Sequence, residues 1–490
     1  MQGDVPVTVI VVSNRIARVN PDEPVAGGLA AALLSMVTDS GAIWVGSSGQ
    51  ISDPTQTRDS LAKIEALGSG ALATVDMPAK HYRGYYEGFA NSALWPALHS
   101  RPDLINVTAD DYTSYREVNA FMARSLLRFN GPEAAFWIHD YHFLTLGMEL
   151  RRLNIGRPLG FFLHTPWADR RTMAAVPHHT DLVEAMLAYD LIGFQTVEDR
   201  QNFEDYLQTE LGLNIVDGTA ASDWGLTQLA TFPIGIDVEE FSARATESVG
   251  LPEVARLRAS MQGAKLVLGV DRLDYSKGIA NRMRAFDRVL EIEPSLKRHV
   301  SLLQVAVPSR GNIHAYRELK AELGALVGEI NGRRGEADWT PIRYLNKGFS
   351  QPILAGFYRA AQVGLVTPLH DGMNLVAKEY VAAQNSFDPG VLVLSSFAGA
   401  AKELGEAALL VNPHDIDAMA RQIAVALAMS LEERRERWQT MVRRLKSSSV
   451  QHWFSNFLRT LSAVRRAPLR AATRPIVLDI GRRSSAARGR

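Results

Sequence analysis

Four basic side chains follow predicted strands, and their positions suit the recognition of phosphate. Arg15, Arg272, Lys277 and Arg310 each lie within a few residues of the end of an apolar, strand-like run. Guanidinium groups bind phosphate oxygens in pairs and lysine adds a compact positive charge, so the set predicts a ligand that carries one or more phosphates. A surface ion pair could explain any single member, but a repeated placement favours a shared site.

Two glycine-containing stretches open helix-like runs and support the same prediction. They read AGGLAAAL at residues 26–33 and DGMNLVAKE at residues 371–379. The first turn of a helix offers unpaired N–H groups to an anion, and glycine allows a close approach of the backbone. Neither stretch matches GxGxxG or GxxxxGK[ST], which argues against nicotinamide chemistry and P-loop hydrolysis. The second stretch also contains Asp371, Lys378 and Glu379, three charges at a strand-to-helix junction.

Further polar side chains follow other predicted strands. His139, Asp140 and His142 end one apolar run, His164 ends the next, and Asp371 follows a later one. In doubly wound sheets, ligands bind beyond the carboxyl ends of the strands. We therefore expect these side chains and the four cations to line one cleft.

Aromatic and polar residues are mixed in the stretch 81–99. Within it, Tyr86 and Trp95 have rings that suit the face of a sugar. The same rings suit a packed core equally well, so the pattern alone leaves both interpretations open.

Twelve short apolar runs alternate with helical patterns and define the expected fold. The first series covers residues 7–13, 42–46, 134–140, 158–164, 190–196 and 229–235, and the second covers 265–274, 300–309, 342–348, 362–369, 391–396 and 408–413. Near-continuous apolar strands between helices predict parallel sheets covered on both faces. We predict two doubly wound α/β units with a seam near residues 232–245 and a ligand cleft between them.

Composition limits the possible partners and the compartment. The 490 residues include no cysteine, and 53 basic side chains balance 53 acidic ones, which excludes disulfides and thiol catalysis and argues against nucleic acid as a partner. The start of the sequence does not resemble a signal peptide and no apolar stretch is long enough to span a membrane, so we expect a cytoplasmic protein that does not bind membranes. Residues 465–490 contain eight arginines and one aspartate, and we expect a largely disordered tail there.

The sequence does not predict a metal site. The stretch HDID at residues 414–417 contains the DxD pattern of many metal-dependent sugar transferases, but it opens a helical run and is better explained as a helix cap. The histidine pair at 178–179 has no spaced partner. We expect no catalytic metal and no cofactor.

Eight motifs, taken in order, resemble the trehalose-6-phosphate synthase family, whose members join the glucose of UDP-glucose to glucose 6-phosphate. They are SNR, GGL, LWPALH, WIHDYH, FFLHTPW, VDRLDYSKGI, VPSRG and PLHDGMNLVAKEYVA, and the resemblance extends from about residue 9 to residue 460. The resemblance implies a GT-B type α/β fold with two Rossmann-like domains facing a deep interdomain cleft. Residues 1–237 would form the acceptor domain, 238–449 the nucleotide-sugar domain, and 450–464 a helix crossing back to the first domain.

The resemblance also implies how the donor diphosphate would be held. Arg272 and Lys277 would bind it and neutralise the leaving group, and the backbone amides of Leu375 and Val376 would meet its oxygens. The leaving group's developing negative charge must be stabilised by something, and these cations would do so without a metal.

The rest of the donor site follows from the same resemblance. Asp371 would bind hydroxyls of the donor glucose, His164 would lie beside that sugar, and both count among the expected catalytic residues with Arg272 and Lys277. The remaining donor contacts would be Glu379 on the ribose, Phe349 against the uracil, and Gly27 and Gly28 closing over the donor.

The acceptor site is implied in the same way. Arg15, Tyr86 and Arg310 would grip the phosphate, Asp140 would bind hydroxyls of the acceptor, and Trp95 would shape the pocket. Trp44 is the sixth expected acceptor residue, from a loop that often carries a second aromatic residue in the family. Here that loop reads WVGSSG and Ser47 replaces the second ring, which affects the expected detail of the acceptor pocket.

Resemblance to the family implies transfer with retention of anomeric configuration. The expected partners are UDP-glucose and glucose 6-phosphate. ADP-glucose and GDP-glucose stay open as alternative donors. Two other classes compete: a transferase with another phosphorylated acceptor such as glycerol 3-phosphate, and a non-catalytic sugar-phosphate sensor. A carboxylate pair formed by Asp140 and Asp371 would be needed for double displacement or hydrolysis. We also expect a homo-oligomer, a dimer or a tetramer.

Overall fold

The computed structural model describes residues 8–16, 28–52 and 63–464. The strands in these ranges are β1 (Thr8–Arg15), β2 (Ile43–Ser52), β3 (Lys63–Leu67), β4 (Gly70–Pro78), β5 (Ala134–His139), β6 (Leu159–Phe162), β7 (Leu191–Phe194), β8 (Ile215–Val216), β9 (Thr219–Ser222), β10 (Gly225–Thr231), β11 (Lys265–Arg272), β12 (Val300–Val307), β13 (Ile342–Leu345), β14 (Val363–Val366), β15 (Val391–Ser395) and β16 (Leu409–Val411).

The α-helices of the same ranges are α1 (Gly28–Ser40), α2 (Ala79–Arg83), α3 (Trp95–Leu98), α4 (Ala109–Leu126), α5 (Leu146–Arg152), α6 (Arg170–Met173), α7 (His179–Met186), α8 (Val197–Glu210), α9 (Val238–Glu247), α10 (Pro252–Ser260), α11 (Ile279–Ile292), α12 (His314–Arg334), α13 (Gln351–Ala360), α14 (Leu375–Ala383), α15 (Ala401–Leu404), α16 (Ile416–Ala428), α17 (Leu431–Ser447) and α18 (Val450–Ala463). A π-helix, Gly84–Leu94, joins α2 to α3. No helix of the described residues is long and apolar enough to cross a membrane.

The strands form two sheets, as the two series of apolar runs predict. The first sheet has the order β3-β4-β2-β1-β5-β6-β7-β10-β9-β8, and the second has the order β13-β12-β11-β14-β15-β16. Pairing is parallel throughout the second sheet and from β4 to β10 in the first. Parallel strands need covering on both faces, and core side chains from both faces of β1 and β5 are buried.

All twelve predicted strands are present, and the prediction of two parallel α/β units is confirmed. Four strands were not predicted, namely β3, β4, β8 and β9, and they lie towards the two edges of the larger sheet. Strand β3 is exposed along most of its length, so its sequence lacks the continuous apolar run that marks a covered strand.

The last described helix, α18, packs against the larger sheet. The rings of Trp453 and Phe457 lie 4.7 and 4.5 Å from the ring of Trp137 on β5. Glycine at two positions of the neighbouring strands makes room for this contact, because a Cβ on Gly160 or Gly193 would come within 2.6 or 2.9 Å of the Phe457 ring. Helix α18 therefore lies against the first sheet, and the domain limits stay a prediction. The arginine-rich stretch 465–490 lies outside the described residues.

Two chain segments that join the sheets touch at Gly235. This glycine belongs to the segment 232–237 after β10, and a Cβ there would lie 1.6 Å from the backbone oxygen of Ser448, between α17 and α18. Real Cβ atoms cannot approach a carbonyl oxygen so closely, so only glycine fits without moving one segment. The same segment is held on both sides at Ile234, whose N–H donates to Gln195 and whose carbonyl accepts from Lys378.

Replacing Gly235 by alanine should therefore destabilise the protein. We expect Gly235→Ala to cost about 1–3 kcal/mol, the usual penalty of an overpacked buried site, and to lower the midpoint of thermal unfolding by several degrees. Gly324→Ala is the matched control, since its Cβ would meet nothing within 4 Å in the middle of α12. The control should unfold at an equal or slightly higher temperature. Equal midpoints for Gly235→Ala and the wild type would contradict a tight crossing.

Candidate functional site

The turn after β11 places several charged groups at the carboxyl end of the smaller sheet. Arg272 ends the strand, and the Asp274 side chain accepts from the Ser276 N–H to cap the short 3-10 turn Tyr275–Lys277. Gly278 closes the turn with a φ of 64°, where a Cβ would lie 2.4 Å from the carbonyl oxygen of Thr367. This geometry holds Lys277 towards the end of β14.

Lys277 and Asp371 form an ion pair with a distance of 2.6 Å between Nζ and Oδ2. Asn374 donates to the same oxygen over 3.0 Å, while its own side-chain oxygen caps α14 by accepting from the Ala377 N–H. Burial alone would raise the pKa of Asp371, but the charge and the hydrogen bond of Lys277 outweigh it and lower the pKa. Asp371 is therefore an anion held in place by two side chains.

Helix α14 directs its N-terminus towards this pair. Leu375 and Val376 form its first turn, where backbone N–H groups have no acceptor within the helix, and both residues are partly exposed. Such a helix start favours a bound anion. The backbone amides of Leu375 and Val376 are thus placed where they could donate to a phosphate, and their predicted role stays a prediction.

One turn further along α14, Glu379 accepts a hydrogen bond from the Tyr358 hydroxyl over 3.3 Å. Burial raises the pKa of Glu379 to about 7, and the hydrogen bond and the charge of Arg244 only partly oppose this. Phe349 follows β13, the edge strand of the second sheet, and is partly exposed, with the Lys347 ammonium 4.9 Å from its ring centre. An aromatic surface and a carboxylate acceptor suit a nucleoside.

Arg310 follows β12 and contacts the turn after β11 through Asp274. Its Nη1 donates to Asp274 over 2.8 Å and to the Tyr316 hydroxyl over 2.6 Å, and its Nη2 donates to the Tyr141 hydroxyl over 3.0 Å. The guanidinium carbon lies 3.9 Å from the ring centre of Trp95, a cation–π contact. Arg310 thereby joins the two sheets, because Tyr141 and Trp95 belong to the first unit.

Asp274 is the common acceptor of this cluster and is fully buried. Besides Arg310, it accepts from the Tyr316 hydroxyl over 3.0 Å and from the Trp95 indole over 3.4 Å. Burial would raise the pKa of Asp274, yet the charges of Arg310, Arg272 and Lys277 outweigh it and lower the pKa to about 2. Asp274 therefore stays ionised at every physiological pH.

Arg15 and Tyr86 lie along the rim of the first unit. Arg15 is exposed at the end of β1, close enough to Tyr82 for its charge to act on that phenol. The ring of Tyr86 is stacked between Tyr82 at 5.5 Å and His142 at 5.9 Å. These contacts bring two of the three expected phosphate-binding residues to neighbouring positions.

Asp140 and His164 follow β5 and β6 and contact each other. The Asp140 carboxylate accepts from the His164 backbone N–H over 3.3 Å, and its own backbone has a strained φ of 75°. Burial raises the pKa of Asp140 to about 6, although backbone hydrogen bonds and the charges of Arg272 and Arg310 lower it in part. Both arginines therefore lie close to this carboxylate.

The imidazole of His164 is already occupied by protein groups. Because Gln195 accepts from Ile234 with its oxygen, its amide nitrogen faces His164 Nδ1 at 3.3 Å and donates to it. The proton of His164 then lies on Nε2, 3.0 Å from His139 Nδ1. Burial lowers the pKa of His164 to about 3, so the ring is neutral and unsuited to act as a general acid.

Trp44 is a correction to the expected acceptor set. Its ring is 1 % exposed within the core of the first sheet, and its indole N–H donates to the Ser13 hydroxyl over 2.8 Å. A side chain enclosed in this way cannot contact a ligand. Of the glycine pair, Gly28 begins α1, whereas Gly27 lies outside the described residues.

Lys378, one of the three charges that marked the strand-to-helix junction, is also a structural residue. It is fully buried, and it donates to Glu403 over 2.5 Å and to the Ile234 carbonyl over 2.7 Å. The other two charges of that stretch, Asp371 and Glu379, remain partly exposed at the site.

Sequence reasoning missed Asp274, Tyr141 and Tyr316 as members of the site. Asp274 stands two residues after Arg272 in a charged turn and Tyr141 lies inside the motif WIHDYH, so both had a usable signal, whereas Tyr316 lies in none of the quoted motifs. A cavity of about 440 Å³ shares Asp371 with the site and is lined by Ser276 and His370.

The residues described contain no group of three or more potential metal ligands. In the stretch HDID, Asp415 caps α16, as the helix-cap interpretation predicts. Asp417 forms an ion pair with Arg288.

The chain belongs to glycosyltransferase family 20, whose model matches residues 8–463. It is 41% identical over 453 residues to a trehalose-6-phosphate synthase of Enterobacter sp. (strain 638), covering 92% of this chain and 94% of the relative. Two solved structures are similar in sequence and fold, which confirms the GT-B fold.

The first structure is a UDP-forming alpha,alpha-trehalose-phosphate synthase from Burkholderia xenovorans in complex with glucose-6-phosphate, with a TM-score of 0.89, 41% identity and coverage of 93% and 100% of the two chains. The second is a protein from E. coli bound with UDP-2-fluoro glucose, with a TM-score of 0.88, 38% identity and coverage of 94% and 100%.

The raised pKa of Glu379 predicts a pH-dependent stability. Since the folded state holds this proton more tightly than the unfolded chain, the contribution is full at low pH and is lost as the pH rises through about 7. Melting temperatures of the wild type and of Glu379→Gln, recorded from pH 5 to pH 8, should therefore show the wild type losing stability relative to the variant up to about pH 7, with the difference levelling off above it. Glu329→Gln, at an exposed site of α12, should give a curve parallel to the wild type. Parallel curves for all three proteins would contradict the assignment.

Proposed function

We propose that this chain transfers glucose from UDP-glucose to glucose 6-phosphate, forming α,α-trehalose 6-phosphate and UDP. The observation that carries the proposal is the grouping of cations around one buried carboxylate, Asp274, with Arg272 and Lys277 on the donor turn and Arg310 against Trp95 of the other unit. Membership of a family whose relatives are named trehalose-6-phosphate synthases supports this choice of substrates.

On the donor side, Arg272 and Lys277 would bind the diphosphate of UDP-glucose together with the first-turn amides of α14. Lys277 is paired with Asp371, so an arriving phosphate would share or take over that cation. Asp371 would then accept from glucose hydroxyls and Glu379 from the ribose. Arg272 has no ion-pair or hydrogen-bond partner among the described residues, which leaves its guanidinium available to the leaving group.

On the acceptor side, Arg310, Arg15 and Tyr86 would surround the phosphate of glucose 6-phosphate. The guanidinium of Arg310 uses three N–H groups on protein partners and retains two for an anion. Asp140 would bind acceptor hydroxyls, and Trp95 would form the wall that fixes Arg310.

Neither candidate carboxylate is well placed as a nucleophile. Asp371 Oδ2 accepts from Lys277 and Asn374, and Asp140 Oδ1 accepts from the His164 backbone. We therefore propose that retention arises from attack on the same face as departure, with the leaving phosphate accepting the proton of the acceptor hydroxyl. The cations of the donor turn would stabilise the charge that a metal ion carries in other transferases, so the reaction should need no metal.

The domain limits stay as predicted: 1–237 for the acceptor domain, 238–449 for the donor domain and 450–464 for the crossing helix. A cytoplasmic location would suit the two proposed substrates. A homo-oligomer, dimer or tetramer, stays a prediction, and light scattering after size-exclusion chromatography would determine the mass.

A nucleotide-release assay in EDTA tests the proposal and its rivals. UDP-glucose is paired with glucose 6-phosphate and, separately, with glycerol 3-phosphate. UDP release with the first acceptor alone, together with a non-reducing phosphorylated disaccharide by NMR, would support the synthase. Release with glycerol 3-phosphate instead would support the other transferase, and binding of both substrates without release would support the sensor.

Loss of either donor cation should slow transfer strongly. We expect Arg272→Ala and Lys277→Ala each to lower kcat/KM by about 10²-fold or more, because both remove charge that stabilises the leaving diphosphate. Steady-state UDP release measures the effect. Arg288→Ala removes a cation on the exposed side of α11 and serves as control, with an expected change below about two-fold. Wild-type rates in both site variants would exclude this donor site.

Arg310→Ala should act mainly on the acceptor. Because the lost contact holds the phosphate in both ground state and transition state, the KM for glucose 6-phosphate should rise about ten-fold or more with a smaller change in kcat. The KM for UDP-glucose should change little. An unchanged acceptor KM would remove Arg310 from the acceptor site.

A further inference from the structure

We propose that Asp274 is a positioning residue of the acceptor site, which orients the guanidinium of Arg310 against Trp95 and couples it to the donor turn. The inference rests on the proposed function and assigns a role to a residue that touches neither proposed substrate. It is carried by the hydrogen bonds of one fully buried carboxylate.

Both oxygens of the Asp274 carboxylate accept hydrogen bonds from protein donors. Oδ2 accepts from Arg310 Nη1 at 2.8 Å and from the Tyr316 hydroxyl at 3.0 Å, while Oδ1 accepts from the Ser276 N–H at 3.0 Å and the Trp95 indole at 3.4 Å. A carboxylate with partners on both oxygens has one stable orientation. The carboxylate therefore holds the guanidinium of Arg310 in one position.

Arg310 itself is tightly constrained by the protein around it. Its backbone has a φ of 48°, in the left-handed region that side chains other than glycine seldom adopt. Such a conformation persists only where surrounding contacts determine it, and the side chain is 5 % exposed with three hydrogen-bonded partners. Among those partners Asp274 is the only ion, so it supplies the strongest of the bonds that hold the arginine.

Asp274 lies two residues after Arg272 and three before Lys277, inside the turn that would hold the donor diphosphate. Trp95 and Tyr141, in contrast, belong to the acceptor unit, and both contact the pair formed by Asp274 and Arg310. One carboxylate thus connects the donor turn with the acceptor arginine across the boundary between the two units.

A double-mutant cycle distinguishes positioning from a merely structural role. In Asp274→Asn, the KM for glucose 6-phosphate should rise about ten-fold to hundred-fold, the range for a lost hydrogen bond to a charged group, while the KM for UDP-glucose changes less than about three-fold. In an Arg310→Ala background, the same substitution should change the acceptor KM by less than about two-fold, because its effect acts through Arg310. An unchanged acceptor KM, or equal effects in both backgrounds, would overturn the proposal.

Asp190→Asn is the matched control. Asp190 also pairs with a buried arginine, Arg151, at 2.9 Å, but it precedes β7 at the opposite end of the sheet. It should lower the melting temperature and leave both KM values within about two-fold of the wild type. A rise in acceptor KM as large as that of Asp274→Asn would overturn the proposal, since any buried pair would then have the same effect.

Two further measurements keep the inference testable under other outcomes. If Asp274→Asn does not fold, Tyr316→Phe removes the hydroxyl that bonds both Asp274 and Arg310, and the acceptor KM should rise about three-fold or more; an unchanged KM would overturn the proposal. If the wild type releases no UDP, the proposed function fails separately. Calorimetric titration with glucose 6-phosphate then tests Asp274, whose substitution should weaken binding about ten-fold, and equal affinities would overturn the inference.

Discussion

The site depends on the neutralisation of closely spaced cations by two buried carboxylates. Arg272, Lys277 and Arg310 are gathered between the two sheets, where poor solvation makes unpaired charge costly. Asp274, fully buried, and Asp371, 13 % exposed, supply the opposite charge. Both carboxylates have a lowered pKa, so the compensation persists at physiological pH. The cleft can therefore keep its cations in place before any phosphate arrives.

The chain segment between the two units is fixed by the same elements that form the site. Lys378 on α14 donates to the carbonyl of Ile234, and Gln195 of the first unit accepts from its N–H and donates to His164. Helix α14 is thus connected through Ile234 and Gln195 to His164. The residue after Ile234, Gly235, has no side chain and so allows the backbone at Ser448, between α17 and α18, to lie directly against it. Contacts of two adjacent residues, Ile234 and Gly235, thus help to hold the segment that joins the two units.

Most of the fold could be predicted because parallel strands covered on both faces have continuous apolar sequences, whereas exposed edge strands such as Lys63–Leu67 do not. The clustering of polar residues that follow strands could be predicted, as for Arg310 and Asp371, while their roles towards a ligand stay predictions. The direction of a side chain could not be predicted. The sequence does not show that Trp44, expected in the acceptor pocket, points into the core, or that Lys378 is enclosed. Asp274 was missed because its importance lies in partners distant in sequence.

The decisive measurement is a crystal structure with UDP and glucose 6-phosphate bound together. We expect the diphosphate at the start of α14 with Arg272 and Lys277, and the acceptor phosphate against the free N–H groups of Arg310, with the bond between Arg310 and Asp274 preserved. A sugar phosphate bound away from Arg310, or a diphosphate bound away from α14, would contradict it.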